Sequence, residues 1–560
     1  MEIVTAGRPS PERNPLRRLL ILQPGPPRLA FALRAALCMA APVVVGWACD
    51  DLGAGLIATL GAFTALYGAN RPYRYRAGYL AAIAMCFAAV VTFGDWAAQL
   101  PWAGVLAICA VAVLATFVCN ALSVGPPGAY MFMLACAAGT GLQTAHLSRW
   151  HVGLLVLGGG AFAWLVHMAG AVGGYRRPER RSVAAARRSV DGYLAVLGSD
   201  AELSARHRAA QALHDCWQML VNFQPAHAIP SPRLLTLRGE ALRQHLRFAD
   251  AMNGRTGIDD GPHRPDPDSV PLGRPRTVDL LRRSASRESL VGRTAIRVGA
   301  AAVIAGSVAM WLGVDHAYWA VAAAVLMLHQ GFDWVRTVTR GLERMVGTLV
   351  GLGLAGAVLA ADPHGLVLAA LLGALQFGVE MLVVRSYALA VVLITPLALT
   401  IAFGGRPVGD VPALLLARGV DTLIGCLAAL LVYGVASRGH DVARLADTVA
   451  ATLRDVGATA PLVAGGTVRS AAALAARRDL QLSLLAMVAA YDNGSGGSVR
   501  ERAAAERLWP TVMAVENLGY RVLAACWSLE HGDGAPPARF SEQIAAEQQR
   551  LQKDLVRQSD

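Results

Sequence analysis

Arg336-Thr-Val-Thr-Arg340-Gly-Leu-Glu-Arg344-Met-Val-Gly347-Thr348-Leu-Val-Gly351 is a basic turn that runs directly into an apolar stretch notched by glycine. Three arginines spaced by four place their charge on one helix face. Positive charge beside an apolar run is the pattern of a loop on the cytoplasmic side of a membrane. Gly347, Thr348 and Gly351 lie in the buried continuation, where small side chains let a neighbouring helix come close. The stretch reads as a cytoplasmic loop re-entering a bilayer, and the rest of the chain repeats it or serves it.

Composition supports that reading. The chain has 560 residues, of which 55% are hydrophobic and only 16% charged, which places it among polytopic membrane proteins. The net charge of +12 is almost all arginine, because Lys553 is the only lysine. These arginines cluster beside the apolar runs, where the positive-inside rule accounts for them without a nucleic-acid partner. Nine cysteines form no CxxC pair and no Cys/His ligand spacing, so neither a metal site nor a disulfide framework is expected. No Gly-Lys-Ser/Thr phosphate loop occurs, which argues against a built-in ATPase. His214-Asp215-Cys216 carries the residue types of a nucleophilic site, but adjacent helical residues point apart. No enzyme activity and no cofactor are expected.

Working outward along the chain, residues 1–28 are polar, proline-broken and arginine-bearing, and are expected to stay in the cytoplasm uncleaved. Residues 29–173 hold six apolar runs, near 29–48, 52–69, 78–98, 102–121, 126–145 and 151–173, and a run of roughly 20 residues spans a bilayer. Their loops alternate between acidic Asp50-Asp51 or Asp95 and basic Arg71 to Arg76 or Arg176 to Arg181. Residues 174–293 form a cytoplasmic helical insert with a proline-rich linker near 255–276 and an amphipathic approach from Val278 to Leu290. Residues 294–437 repeat the six-run pattern, and residues 438–560 form a second cytoplasmic helical region. In that region Pro510 is expected to kink a helix and Asn493-Gly-Ser-Gly-Gly-Ser to make a flexible turn.

Arg297 lies 263 residues after Arg34, Asp315 lies 265 after Asp50, and Arg340 lies 264 after Arg76, so the blocks are in register. An even number of spans in each block makes the repeat a parallel one, related by an axis along the membrane normal. The expected fold is therefore an all-α polytopic membrane protein of two parallel six-span repeats, each followed by a cytoplasmic helical region, with both termini inside.

Three stretches of the second block carry a family pattern. They are Tyr318-Trp319 at the start of a span, Arg340-x3-Arg344-x2-Gly347-Thr348-x2-Gly351, and Arg418-x2-Asp421-Thr422-x2-Gly425 in the last span. The chain resembles the FUSC family, the fusaric acid resistance-like integral membrane bound transporters related to aromatic acid exporters. The resemblance covers the second block closely and the first through the repeat. It implies export of aromatic carboxylates or similar compounds driven by proton motive force across the inner membrane. It also implies a periplasmic adaptor for some members.

Ionisable residues within spans cost about 2.5–3.5 kcal/mol each on insertion scales and so need a partner or a task. Arg34 and Arg297 either snorkel to the interface or form a guanidinium pair that draws a carboxylate from the cytoplasm. With Arg340 and Arg344 they would make an electropositive vestibule. Arg418 and Asp421 share one face of the last span and are either a structural salt bridge or an anion and proton relay. Glu380, one turn after Gln376, is a second proton-carrier candidate or a solvated helix-end carboxylate. His167, His329 and Gln330 read as interhelical or helix-end hydrogen-bonding groups, and Gly425, like Gly158-Gly159-Gly160, as a close-packing position. The partners expected are lipid, a small organic anion, the adaptor and a second copy of the chain. A passive anion channel and a non-transporting envelope scaffold remain the alternatives to an exporter.

Overall fold

The computed structural model describes residues 28–142, 148–224, 231–252, 254, 277–286, 289–314, 316–330, 334–403, 410–436, 440–496, 499–531 and 539–559. Residues 1–27, the 255–276 linker and Asp315 lie outside them. Every regular element among the described residues is helical.

The first block folds as α1 (Leu29–Ala48), α2 (Leu52–Ala62, continued by a tight turn to Leu66), α3 (Tyr73–Ala97), α4 (Pro101–Ala121), α5 (Tyr130–Thr140) and α6 (Arg149–Ala169). The second folds as α11 (Leu290–Trp311), α12 (Tyr318–Leu328), α13 (Trp334–Ala361), α14 (Gly365–Leu382), α15 (Tyr387–Phe403) and α16 (Val411–Ala436). Eight of these twelve are long and apolar enough to cross a membrane. The exceptions are α2, α5, α12 and α15, the second and fifth helices of each block. At 11 residues each, α5 and α12 are about 16 Å long against a hydrocarbon core of about 30 Å. Twelve apolar runs are thus present as helices, but four of them are too short to span alone.

Local sequence explains the shortness. The run expected over 126–145 opens with Gly125-Pro126-Pro127-Gly128, where the two glycines take φ of 80° and 66°. Such a turn delays the helix to Tyr130. Irregular backbone survives at membrane depth only when protein surrounds it, and the short helices are accordingly interior. Nine of the eleven residues of α12 are buried, as expected of a helix apolar on every side. The long helices present outward rows instead, such as Leu29, Leu33 and Leu37 on α1. Exposed Trp47, Trp96, Trp102, Trp150 and Trp311 sit at helix ends that the short connections bring to one side, where an aromatic belt belongs.

The packing has the same pattern in both blocks. Helix α2 packs on α6 as α12 does on α16, and α3 on α5 as α13 does on α15. Across the blocks, α1 packs on α14 and α11 on α4, again first helix on fourth. Glycines permit the closest approaches. A Cβ at Gly159 would overlap the Ala58 carbonyl oxygen, and one at Gly425 the Ala320 carbonyl oxygen. At Gly347 it would lie 2.6 Å from Ala388 O, and at Gly351 2.9 Å from Val392 O. Both glycines seat α13 on α15, and Thr348 is buried between them.

Outside the bundle, the insert forms α7 (Arg177–Leu194), α8 (Glu202–Trp217, extended by a π turn to Asn222), α9 (Pro232–Met252) and α10 (Thr277–Ser284). The C-terminal region forms α17 (His440–Ala464), α18 (Ala471–Gly496), α19 (Val499–His531) and α20 (Phe540–Ser559). Helices from both regions share one apolar core, crossed by a buried Arg206 to Glu516 ion pair of 2.8 Å. Pro510 lies within the unbroken α19. Asn493 to Gly496, expected as a turn, continue α18, and Asn493 Oδ1 accepts a 3.0 Å hydrogen bond from Arg336 of the bundle.

Candidate functional site

The four short helices enclose a cavity of about 120 Å³. Leu134, Ala137 and Ala138 of α5 line it together with Ala398, Ile401 and Ala402 of α15. Each of these stands 264 residues from its counterpart, the offset between Arg76 and Arg340. Leu56 and Ile57 of α2 face Tyr318 and Trp319 of α12 across the same space. The walls are therefore matched in position, and rings enter from both blocks, Phe63 from the first and Tyr318, Trp319 and Phe403 from the second.

Arg418 of α16 and Asp51, the residue that caps α2, bring opposite charges to this cavity's wall. The Arg418 guanidinium carbon stands 4.6 Å from the Trp319 ring centroid, a cation–π contact. Trp319 is itself held by stacking on His316 at 4.9 Å and by an edge contact with Phe403 at 6.3 Å. Arg418 is 3% exposed, and its Nε and Nη1 have no hydrogen-bond partner in the protein. Asp421, one turn further, is fully buried, and neither carboxylate oxygen has a hydrogen-bond partner. The salt bridge that their spacing allows is not made, because the arginine turns to Trp319. A buried charged group with open hydrogen-bonding positions is costly. Two open guanidinium donors beside an apolar, aromatic cavity offer what a carboxylate on a ring requires.

A second buried group lies on α13 and α15. Arg344 is 2% exposed with no partner for its Nε, and the buried Tyr387 hydroxyl lies beside its guanidinium. Arg340 stacks on the same Tyr387 ring at 4.3 Å. His329 is anchored through Nδ1 to carbonyls of its own helix, at 3.0 Å for Leu326. Arg344 and Arg418 are within electrostatic reach of each other.

The other arginines and carboxylates sit elsewhere. Arg34 donates Nε to Ala30 O of its own helix at 3.0 Å, and Arg297 stacks on Tyr433 of α16 at 5.3 Å. Arg340 and Arg344 both meet Tyr387. Arg76, the counterpart of Arg340, closes its own loop by donating to Ala69 O and Arg71 O, each at 2.7 Å. Glu380 is buried rather than solvated, with Arg28 at 3.5 Å and Gln376 donating at 3.2 Å. His214, Asp215 and Cys216 diverge: His214 meets Gln218, Asp215 meets Gln211, and Cys216 is buried, its thiol pushed up to about 12 by desolvation.

Tyr318, Trp319, Tyr387, His316 and the orphaned hydroxyls of Thr348 and Thr400 complete the polar and aromatic surroundings. Sequence reasoning used Tyr318-Trp319 only as a motif and passed over Tyr387, although both open unusually short apolar runs. Short segments at corresponding places in two halves are the pointer that could have found them.

The fold and site together define an all-helical, polytopic membrane protein with a charged, partly aromatic centre. Residues 304–432 match the family model described as fusaric acid resistance protein-like, and the match includes Trp319, Arg344, Arg418 and Asp421. The chain is similar to a protein of Bacillus subtilis (strain 168) described as uncharacterized membrane protein YvaC. The two are 27% identical over 562 residues, which covers 90% of this chain and 85% of that one. No solved structure matches the chain.

Proposed function

We propose that the chain is a secondary transporter that exports organic anions, above all aromatic carboxylates, across the cytoplasmic membrane in exchange for protons. The observation that carries this reading is Arg418. Its side chain lines a largely apolar cavity with aromatic residues, two of its donors are buried without partners, and an unpartnered carboxylate lies one helical turn away. At about 120 Å³ the cavity is smaller than the ~150 Å³ known to accept benzene, so in this reading a ring enters as the two units part, and its carboxylate bonds the fork of Arg418. Asp421 exchanges the proton, since a carboxyl with no fixed partner responds most to whether Arg418 is engaged by an anion. Arg340 and Arg344 supply the inner approach. Two parallel six-helix units, related by an axis through the cavity, give matched walls to rock against each other. The helical body and both termini then lie in the cytoplasm, on the side of the arginine-rich loops.

The test is efflux of radiolabelled benzoate from proteoliposomes with and without an imposed pH gradient. Uphill efflux that collapses with the gradient supports exchange for protons. Flux that follows only the benzoate gradient identifies a passive anion channel.

A further inference from the structure

We propose that the helical body holds a second binding site for an aromatic monocarboxylate, separate from the membrane cavity and bridged to the bundle by Arg71. This goes beyond the transport reading and does not depend on it.

A cavity of about 230 Å³ lies where α8, α9, α18 and α19 meet, and Arg71, Ala121 and Ser123 of the bundle's loops complete its wall. A dry cavity of about 150 Å³ is known to accept benzene, so this one has room for a single ring and its carboxylate. Its aromatic side is fixed by partners within the protein. Trp217 donates Nε1 to His245 Nδ1 at 3.1 Å, and the His245 and Trp527 rings lie 3.8 Å apart. Arg71, Arg477 and Arg478 line it, and no aspartate or glutamate does. Two of these charges are already met, Arg477 by Glu530 at 2.8 Å and Arg478 by Asp479 at 3.0 Å.

Arg71 differs. It is seated over Tyr79 at 4.0 Å and against Phe223, just past the π turn, at 5.1 Å, and it makes one long hydrogen bond of 3.4 Å to Val124 O. No carboxylate pairs with it among the described residues. Tyr520 is 3% exposed, lines the same cavity, and its hydroxyl has no hydrogen-bond partner. A cationic fork, an open hydroxyl and a stacked aromatic wall select a planar anion over a neutral ring or an aliphatic acid. Because Arg71 belongs to the loop that starts α3 while the remaining wall belongs to the body, an occupant touches both.

The experiment uses the full chain in nanodiscs, photolabelled with 4-azidobenzoate and mapped by peptide mass spectrometry, with radiolabelled benzoate for affinity. The expected result is label within 210–223 or 520–527 that persists in Arg418→Gln, where the membrane cavity has lost its charge. Arg71→Gln weakens benzoate binding there at least tenfold. Tyr520→Phe weakens it severalfold while the protein melts no lower than the parent, since only an unpaired hydroxyl is removed. Neutral 4-azidobenzamide labels these peptides poorly. Label confined to the membrane helices, equal labelling by the neutral probe, or unchanged affinity in Arg71→Gln and Tyr520→Phe each overturns the proposal. Loss of proton-driven efflux with labelling intact touches only the transport reading.

Discussion

Replacing Asp421 by asparagine separates a working proton site from a structural ion pair, and the structure sets the size of each outcome. Were Asp421 the contact partner of Arg418, its neutralisation would strand a buried guanidinium at a cost of about 3–5 kcal/mol. The structure has no such contact, since both carboxylate oxygens are unpartnered and Arg418 lies on Trp319. What the amide loses is a longer-range attraction, about 2 kcal/mol at an effective dielectric of ~20. What it gains is relief from burying an unpartnered carboxylate, several kcal/mol if ionised, against about 1–3 for an unbonded amide. Asp421→Asn therefore melts within a few degrees of the parent and reaches normal levels in the membrane. Transport splits: pH-driven accumulation of benzoate outside falls at least tenfold, while downhill exchange of labelled for unlabelled benzoate continues. Efflux assays under an imposed gradient and a thermal melt in detergent read both. A strongly lowered melting temperature with every transport mode failing together would refute the reasoning. So would restored gradient-driven efflux in the double variant Arg418→Gln with Asp421→Asn.

Trp319→Leu removes the ring under Arg418, a desolvated cation–π contact of about 2 kcal/mol, and benzoate affinity at the membrane cavity falls about tenfold or more. Arg418→Lys in the parent does not restore binding, because an ammonium lacks the fork; equal affinity in that variant would remove the bidentate argument. Gly425→Leu forces α16 off the Ala320 carbonyl and costs about 1–3 kcal/mol or more in overpacking, read as lost monodisperse protein on size exclusion. A Cβ at Gly434 meets nothing within 4 Å, and Gly434→Ala behaves as the parent. Cys49 is exposed at the far end of α1, whereas burial pushes the thiols of Cys216 up to about 12 and Cys526 up to about 11. A membrane-impermeant maleimide applied to intact cells labels the parent once and Cys49→Ser not at all; labelling that appears only after lysis reverses the proposed orientation.

Most of the fold was legible because hydropathy and loop charge act over long windows. The apolar runs, the two helical regions beside the bundle and the Gly-seated contact of α13 on α15 follow from patterns of many residues. Helix length was not legible in the same way. A window near 126–145 sums apolar character across Gly125-Pro126-Pro127-Gly128 and cannot tell a span from an 11-residue helix preceded by a buried turn. Side-chain choice was also hidden. The spacing of Arg418 and Asp421 permits a bridge, but a ring brought in from α12 competes for the guanidinium, and that contact is set by tertiary packing. Glu380 likewise reads as a solvated helix end until Arg28 is seen against it. The cavity in the helical body draws on residues more than 400 positions apart, from Arg71 to Trp527, with no local motif to announce it.

The two blocks place their helices alike and charge them differently, which in the proposed transport reading decides where an anion binds. Gly159 on Ala58 and Gly425 on Ala320 are the same contact in each block, and they set an offset of 266 residues for α6 and α16. At that offset Arg418 answers to Val152 and Asp421 to Leu155, while Tyr433 beside Arg297 answers to His167. At the 264-residue offset Arg344 answers to Leu80, which is fully buried. Arg344, Arg418 and Asp421, the charges of the proposed carboxylate site, all lie within residues 304–432, although the cavity is walled by both blocks. Two symmetric sites would hold two like-charged ligands close together in a medium that screens them poorly, and repulsion would oppose double occupancy. In the proposed site a single arginine facing a wall that bears Asp51 avoids that cost and would orient a ring with its acidic group toward Arg418. It follows that Val152→Arg, which restores the missing counterpart, should not create a second transport site. It should bury an unpaired guanidinium beside α2 and reduce the yield of folded protein, whereas the same change with Leu155→Asp added should recover part of it. Recovery of folded protein together with a doubled benzoate stoichiometry would show that the asymmetry is dispensable.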